Sequence, residues 1–260
     1  MRIEHTRIVI TGAASGIGRA LQQQLARYPA QIVAVDRDEV QLRLAVDAIQ
    51  SGAATVHPFV SDVSTEEGVD EIFDYAVDAM GGIDLFIANA GFAYYENLAD
   101  ADWSRLEHLV KVNVLSPIYS AVKMRELNRV RPYKMVITAS AMSLLPLPGY
   151  ALYGATKGML HHFAQAYRYE LDDPRHLMLV YPIGTRTAFF DTSGAPIPWP
   201  TQTPEYVANR IVRGIERDKK AVYPSVTFQM LMLTGRFCPP ALRLWQYIEL
   251  RRFQRWREAQ

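Results

Sequence analysis

A short apolar run, Arg7-Ile-Val-Ile-Thr11, leads straight into Gly12-Ala-Ala-Ser-Gly16-Ile-Gly18, and helical periodicity takes over across residues 19–28. Strand, glycine turn and helix in that order leave few folds open. The glycines let the backbone turn tightly and pass close to a ligand, while the helix behind them offers unpaired N–H groups and a partial positive charge. A pyrophosphate is the kind of group such a turn can hold. The spacing is Gly-x-x-x-Gly-x-Gly, not the Gly-x-Gly-x-x-Gly of the common dinucleotide turn.

The alternation then repeats. Gln31–Asp36 reads as a second buried strand, residues 38–50 as a helix, and Thr55–Val60 as a third strand leading to Asp62-Val63. Ser64-Thr-Glu-Glu67 forms a capping box for a helix reaching about Met80, and Leu85–Ala88 is a fourth strand that delivers Asn89-Ala90-Gly91. A long helical region starts near Asp102 and carries Asn113, an amide in apolar surroundings. Lys134–Thr138 is a fifth strand ending at Ser140. Pro146, Pro148 and Gly149 turn the chain into a helix bearing Tyr153 and Lys157, and residues 177–181 and 221–223 supply two more strands. Thr203-Pro204-Glu205 opens the intervening helix, expected to run to about Asp218. Such a pattern predicts an α/β fold, a doubly wound parallel sheet whose ligands sit at the C-terminal strand ends.

The chemistry follows from what those strand ends carry. Asp36 lies about 20 residues beyond the glycine turn, where a carboxylate takes the ribose hydroxyls of a dinucleotide. It favours NAD. Arg37 beside it could face a 2′-phosphate, which keeps NADP as second choice. Tyr153 and Lys157, four residues apart, share a helix face. A cation at ~4 Å, in an effective dielectric near 20, stabilises a phenolate by roughly 4 kcal/mol, enough to predict a lowered pKa for Tyr153. Ser140 places a hydroxyl at the same sheet edge.

Taken together, Thr11 to Gly18, Asp62-Val63, Asn89-Ala90-Gly91, Asn113, Ser140 and Tyr153-Gly-Ala-Thr-Lys157 resemble the short-chain dehydrogenases/reductases, in their short, non-extended branch. The resemblance covers residues 7–223. It implies a Rossmann-type sheet of about seven strands in the order 3-2-1-4-5-6-7, with helices on both faces. It also implies Tyr153 as acid/base, Ser140 polarising the substrate oxygen, Lys157 lowering the tyrosine pKa and holding the nicotinamide ribose, and Asn113 keeping a relay water. Gly12, Ser15, Gly16, Ile17 and Gly18 would line the pyrophosphate and ribose, with Asp36 and Arg37 at the adenosine ribose, Asp62 and Val63 at the adenine, and Asn89, Ala90 and Gly91 along the cofactor. Where relatives have Pro-Gly, this chain has Pro182-Ile183-Gly184; Thr187 keeps its distance from Pro182 and is expected at the carboxamide.

Residues 188–204 contain Pro196, Pro198 and Pro200 around Trp199, a composition that predicts an irregular substrate lid. Tyr94, Leu144, Leu145, Tyr150, Phe189 and Trp199 are the expected substrate contacts. Their apolar character points to a lipophilic alcohol or ketone. Beyond a catalytic domain at 1–224, residues 225–260 form a helical extension with six arginines against two glutamates. Two readings of it stay open: packing over the cleft or on a partner subunit, and an interfacial helix on an anionic membrane.

Composition excludes other classes. A net charge of +1 gives no bias toward nucleic acid, and a single cysteine, Cys238, without a Cys/His cluster predicts neither disulfide nor metal. No signal-peptide pattern and no run of ~18 apolar residues is present, so a cytoplasmic location is expected, with membrane contact only through 225–260. The resemblance further implies a homodimer or homotetramer. The overall expectation is an NAD(P)(H)-dependent oxidoreductase interconverting a secondary alcohol and a ketone. The alternative is a binding-only NAD(P) sensor or scaffold.

Overall fold

The computed structural model describes residues 1–49, 52–195, 200–237 and 239–258. Seven parallel strands form one sheet: β1 (Arg7–Thr11), β2 (Gln31–Asp36), β3 (Thr55–Val60), β4 (Leu85–Ala88), β5 (Lys134–Thr138), β6 (Leu177–Val180) and β7 (Ala221–Val222). Their order is β3-β2-β1-β4-β5-β6-β7, as the sequence pattern implied. The order reverses between β1 and β4, which opens a crevice above their C-terminal ends.

Side-chain alternation divides the core into two layers. Ile8 and Ile10 of β1, with Ile32 and Ala34 of β2, face a layer capped by α1 (Gly16–Leu25), α2 (Glu39–Asp47) and α8 (Pro204–Glu216). Val9, Val33 and Val35 point the other way, onto α3 (Glu66–Met80), α5 (Ser116–Leu127) and α6 (Ala151–Tyr167). Because both faces are covered, the central strands β4, β5 and β6 are buried along their whole length instead of alternating, whereas the edge strand β3 keeps exposed positions. Each fully buried Ile or Leu contributes about 1.5–3 kcal/mol.

Helix starts follow local chemistry. Asp38 caps α2, Asp102 caps α4 (Trp103–Val110) and Thr203 caps α8, each side chain accepting a backbone N–H of the first turn. At α3 the cap is Thr65, which accepts from the Gly68 N–H at 3.0 Å, and not Ser64; the Ser64 N–H is instead drawn back to Asp62. The long helical region is also interrupted. Residues Lys111–Leu115 form a π-helical turn between α4 and α5, with Asn113 at its centre. The lid expected to be irregular contains a short helix, α7 (Phe189–Ser193), ended by Gly194 at a φ of 69°. Trp199 and its neighbouring prolines 196 and 198 lie outside the described residues. The extension consists of α9 (Val226–Phe237) and α10 (Pro239–Glu258). Among the described residues, no helix is long and apolar enough to cross a membrane.

At the sheet's opposite edge Arg7 ties β1 to β4. Its Nε and Nη2 bind the two oxygens of Asp84 at 2.9 and 2.5 Å, and its backbone N–H adds a third bond at 2.9 Å. Burial pushes the Asp84 pKa up, but these bonds and the guanidinium charge more than offset that, holding the carboxyl below its usual range. A carboxylate with a depressed folded pKa stabilises above its unfolded pKa, and that contribution fades as pH falls through the folded value. Asp84→Asn should therefore cost about 1–3 kcal/mol at neutral pH. Urea midpoints should also lose part of their decline below about pH 4.

Candidate active site

Above the β1/β4 crevice the glycine turn is packed against backbone. Gly12 adopts a φ of 68°, and a Cβ there would sit 2.9 Å from Ala90 Cα; one on Gly18 would lie 1.9 Å from the Gly12 carbonyl oxygen. The turn thus closes tightly against the Asn89-Ala90 segment. A Cβ on Gly16, where φ is 52°, would meet the Thr187 side chain at 3.0 Å, so Thr187 closes over the turn from the other side. Ser15 precedes α1 without a side-chain cap bond, leaving the first N–H groups of that helix directed at the crevice.

Three side chains fix the level of the strand ends. Thr11 Oγ1 accepts the N–H groups of Asn89 and Ala90, both at 3.1 Å. Asn89 Nδ2 donates to the carbonyls of Thr11 and Gly12 at 3.3 and 3.4 Å, and its Oδ1 accepts from Thr138 Oγ1 at 3.2 Å. Asp36 meanwhile accepts the N–H of Ala14 at 3.0 Å and that of Asp38 at 3.2 Å, so the turn and the end of β2 are tied through one carboxylate.

On α6, Tyr153 and Lys157 are nearly buried, at 8% and 4% exposure. Burial sets their chemistry. It pushes the Tyr153 pKa up to about 12, with the hydrogen-bonded Ser140 hydroxyl acting in the opposite direction, and it lowers Lys157 to about 8. The expected depression of the phenol pKa by Lys157 is therefore corrected. The ammonium lies 5.7 Å from the ring centroid and donates to the Thr138 carbonyl at 2.9 Å, too remote to outweigh desolvation.

Asn113 is fully buried and its amide is fully engaged. Oδ1 accepts from the Phe92 N–H at 3.1 Å, and Nδ2 donates to the Phe92 carbonyl at 2.9 Å and to Thr156 Oγ1 at 3.2 Å. The π-helical turn is what aims it inward. Thr156 Oγ1 in turn donates to the Tyr153 carbonyl at 2.7 Å, so Asn113 joins the loop after β4 to the helix turn that carries Tyr153.

A cavity of about 530 Å³ runs from Asp36 and Arg37, past Asp62 and Val63, to Ser140, Tyr153, Lys157, Thr187 and Phe189. Gly12, Ser15, Gly16, Ile17, Asn89, Ala90, Gly91 and Pro182 line it as well, whereas Gly18 and Asn113 lie behind it. Most of the expected substrate contacts do not line the cavity. Leu145 packs on Phe228, with Leu144 beside it, and Tyr94 stands edge-on to Phe92 under the Arg105 guanidinium. Tyr150 belongs to an aromatic cluster in which Tyr95 contacts it at 4.9 Å and meets Phe253 and Trp256 of α10 at 5.6 and 4.6 Å. These side chains close the apolar end from behind. Phe92, Val112, Met142, Ile183 and Phe190 line the cavity although the sequence reading omitted them. Phe92 directly follows the motif at 89–91 and Met142 lies two residues after Ser140, so extending those motifs would have found them.

The glycine contacts separate two substitutions. Gly18→Ala drives a methyl group into backbone and should cost about 1–3 kcal/mol in urea unfolding. Gly154→Ala in α6, where the nearest atom to a new Cβ would be the Met142 carbonyl oxygen at 3.7 Å, should instead be neutral or stabilising by about 0.5–1 kcal/mol.

Comparison with known proteins places this geometry. A model of the short chain dehydrogenase family matches residues 6–196. An uncharacterized oxidoreductase of Myxococcus xanthus is 32% identical over 79% of this chain and 83% of its own. An 11-beta-hydroxysteroid dehydrogenase of Pinus massoniana is 27% identical over 92% of this chain and 72% of its own. The crystal structure of a short chain dehydrogenase/reductase from Burkholderia phymatum in complex with NAD superposes with a TM-score of 0.81, at 22% identity over 95% of this chain and 97% of that one. The family match over residues 6–196, together with a relative 32% identical over 79% of the chain, makes the chain a member of the short-chain dehydrogenase/reductase family.

Proposed function

We propose that the chain is an NAD(H)-dependent oxidoreductase that interconverts a lipophilic secondary alcohol and its ketone. The observation that carries this reading is Tyr153 beside Ser140 and Lys157 at the apolar end of a cleft whose other end carries Asp36. The cleft suits a dinucleotide on the chain's own terms. Its glycine turn leaves no space for side chains, the first turn of α1 faces it, and the Asp36 carboxylate stands at the far end. Bound there, the nicotinamide would supply or accept the hydride. Gly12, Ser15, Gly16 and Ile17 would line the phosphates, Asp36 the adenosine ribose, Asp62 and Val63 the adenine, and Thr187 the carboxamide. Lys157, charged over most of the neutral range, would reach the second ribose.

The chain's own residues move the proton. Ser140 Oγ would donate a hydrogen bond to the substrate oxygen, and Tyr153 Oη would give its proton to that oxygen in reduction or take it back in oxidation. A phenol held near 12 is a proton donor at neutral pH, so reduction proceeds from the resting state, whereas oxidation requires the phenolate. Asn113 would act by positioning Tyr153 through Thr156. Phe189, Phe190, Phe92 and Met142 give the reacting end an apolar wall, which supports a lipophilic substrate. The relative from Pinus massoniana, named for a hydroxysteroid, is consistent with that class. Residues 1–224 would be the catalytic unit, with 225–260 packed on it through Phe228, Phe253 and Trp256. Leu115, Val122 and Met159, exposed on and beside α5 and α6, would be covered in a homo-oligomer.

Two measurements test this. With a panel of apolar ketones and alcohols followed at the reduced-nicotinamide absorbance, Tyr153→Phe should lower kcat/KM at least about 10²-fold in both directions while leaving NADH binding intact. Wild-type oxidation should rise about tenfold per pH unit through neutrality, as the phenolate fraction grows. Tight NADH binding with no turnover across the panel would make the chain a sensor instead. Asp36→Asn keeps an acceptor for the Ala14 N–H but removes the charge that repels a 2′-phosphate. The NAD over NADP preference in kcat/KM should fall about 10- to 100-fold.

A further inference from the structure

The reaction assigned to the cleft leaves unused the outer faces of the last two helices, which pack against each other. On α9, Phe228 is buried while Leu231 and Met232 join the same cluster. The opposite side carries Val226, Met230 and Leu233, at 52%, 61% and 64% exposure. Spacings of four and three residues align them along one face. On α10, Phe253 and Trp256 point inward to Tyr95, whereas Tyr247 and Ile248 are 51% and 45% exposed. Arg251 and Arg255 follow Tyr247 one and two turns later on that outer side.

The charges are arranged asymmetrically. Arg252 is paired with Glu249 at 2.7 Å, but among the described residues neither Arg251 nor Arg255 has a carboxylate within ion-pair distance. Arg251 Nε instead donates to Tyr247 Oη at 2.9 Å, which keeps its charge beside the ring. An apolar row on α9, with an amphipathic tyrosine and arginines lacking carboxylate partners on α10, supplies the kinds of group that an anionic bilayer surface takes up at its acyl chains, headgroup boundary and phosphates. An acidic protein would satisfy the arginines but leave the row in contact with polar groups. A second copy packed face to face about a two-fold axis would bring like charges together.

We propose that α9 and α10 dock this protein on an anionic lipid surface, with Val226 and Leu233 in the acyl boundary and Arg251 and Arg255 at the phosphates. Docking does not rest on the reaction assigned to the cleft.

The test is co-sedimentation of the full-length chain with vesicles of phosphatidylcholine alone or mixed with phosphatidylserine, alongside sedimentation velocity without vesicles. The mixed vesicles should bind it, and added salt should weaken that binding. Arg251→Gln with Arg255→Gln should lower the partition coefficient about thirtyfold, from ~1 kcal/mol for each arginine. Leu233→Asp should also reduce binding, in a protein whose far-UV spectrum and NADH binding are unchanged. Equal partition into both vesicle types, or no loss in the double variant, would overturn the proposal. So would a fall in sedimentation coefficient of these variants in the absence of vesicles, which would assign the surface to a second copy.

Discussion

The hydroxyl of Thr11 and the amide of Asn89 hold the ends of β1, β4 and β5 at one height, and the site depends on that height. Thr11 fixes the start of the segment after β4, Asn89 reaches back to the glycine turn, and Thr138 closes the network from β5. The same Thr138 offers its carbonyl to Lys157. Displacement of one strand end would shift the glycine turn, the serine and the lysine together. That coupling explains why short polar side chains occupy the ends of otherwise apolar strands. A buried strand end exposes unpaired backbone groups, and these side chains satisfy them without filling the crevice.

Desolvation, not the Tyr–Lys charge pair, dominates the electrostatics of α6. Lys157 and Tyr153 are both nearly buried, so each is driven toward its neutral form. Only Ser140 works against this for the tyrosine. The result is a phenol suited to giving a proton and a lysine whose charge is sensitive to mildly alkaline pH. The Asn113 amide reaches the same helix by mechanical means, clamping Phe92 and Thr156 around the π-helical turn.

Helix α10 uses its two faces for different purposes. Inward, Phe253 and Trp256 extend the aromatic cluster around Tyr95 and Tyr150, which reaches Tyr153 at 5.9 Å. Outward, it presents tyrosine, isoleucine and arginines to the surroundings. The tail's mixture of aromatics and arginines, ambiguous as composition, separates into these two populations once the helix phase is known.

The linear sequence was sufficient for whatever depends on neighbours in the chain. Strand runs, glycine turn, the helix opening at Thr203 and the Tyr153/Lys157 spacing are local, and the alternation of strands with helices determines a parallel sheet. The lining of the cleft by Gly12, Ser15, Asp36, Asn89, Ser140 and Tyr153 was legible too, because the ends of parallel strands share one edge. Tertiary structure decided what depends on distance and solvent. The direction of the Tyr153 pKa reflects burial by segments far along the chain, and the Lys157 partner is a backbone carbonyl with no side-chain signature. The apolar contacts expected at Tyr94, Leu144, Leu145 and Tyr150 went elsewhere because apolar character specifies burial but not the surface against which a residue is buried.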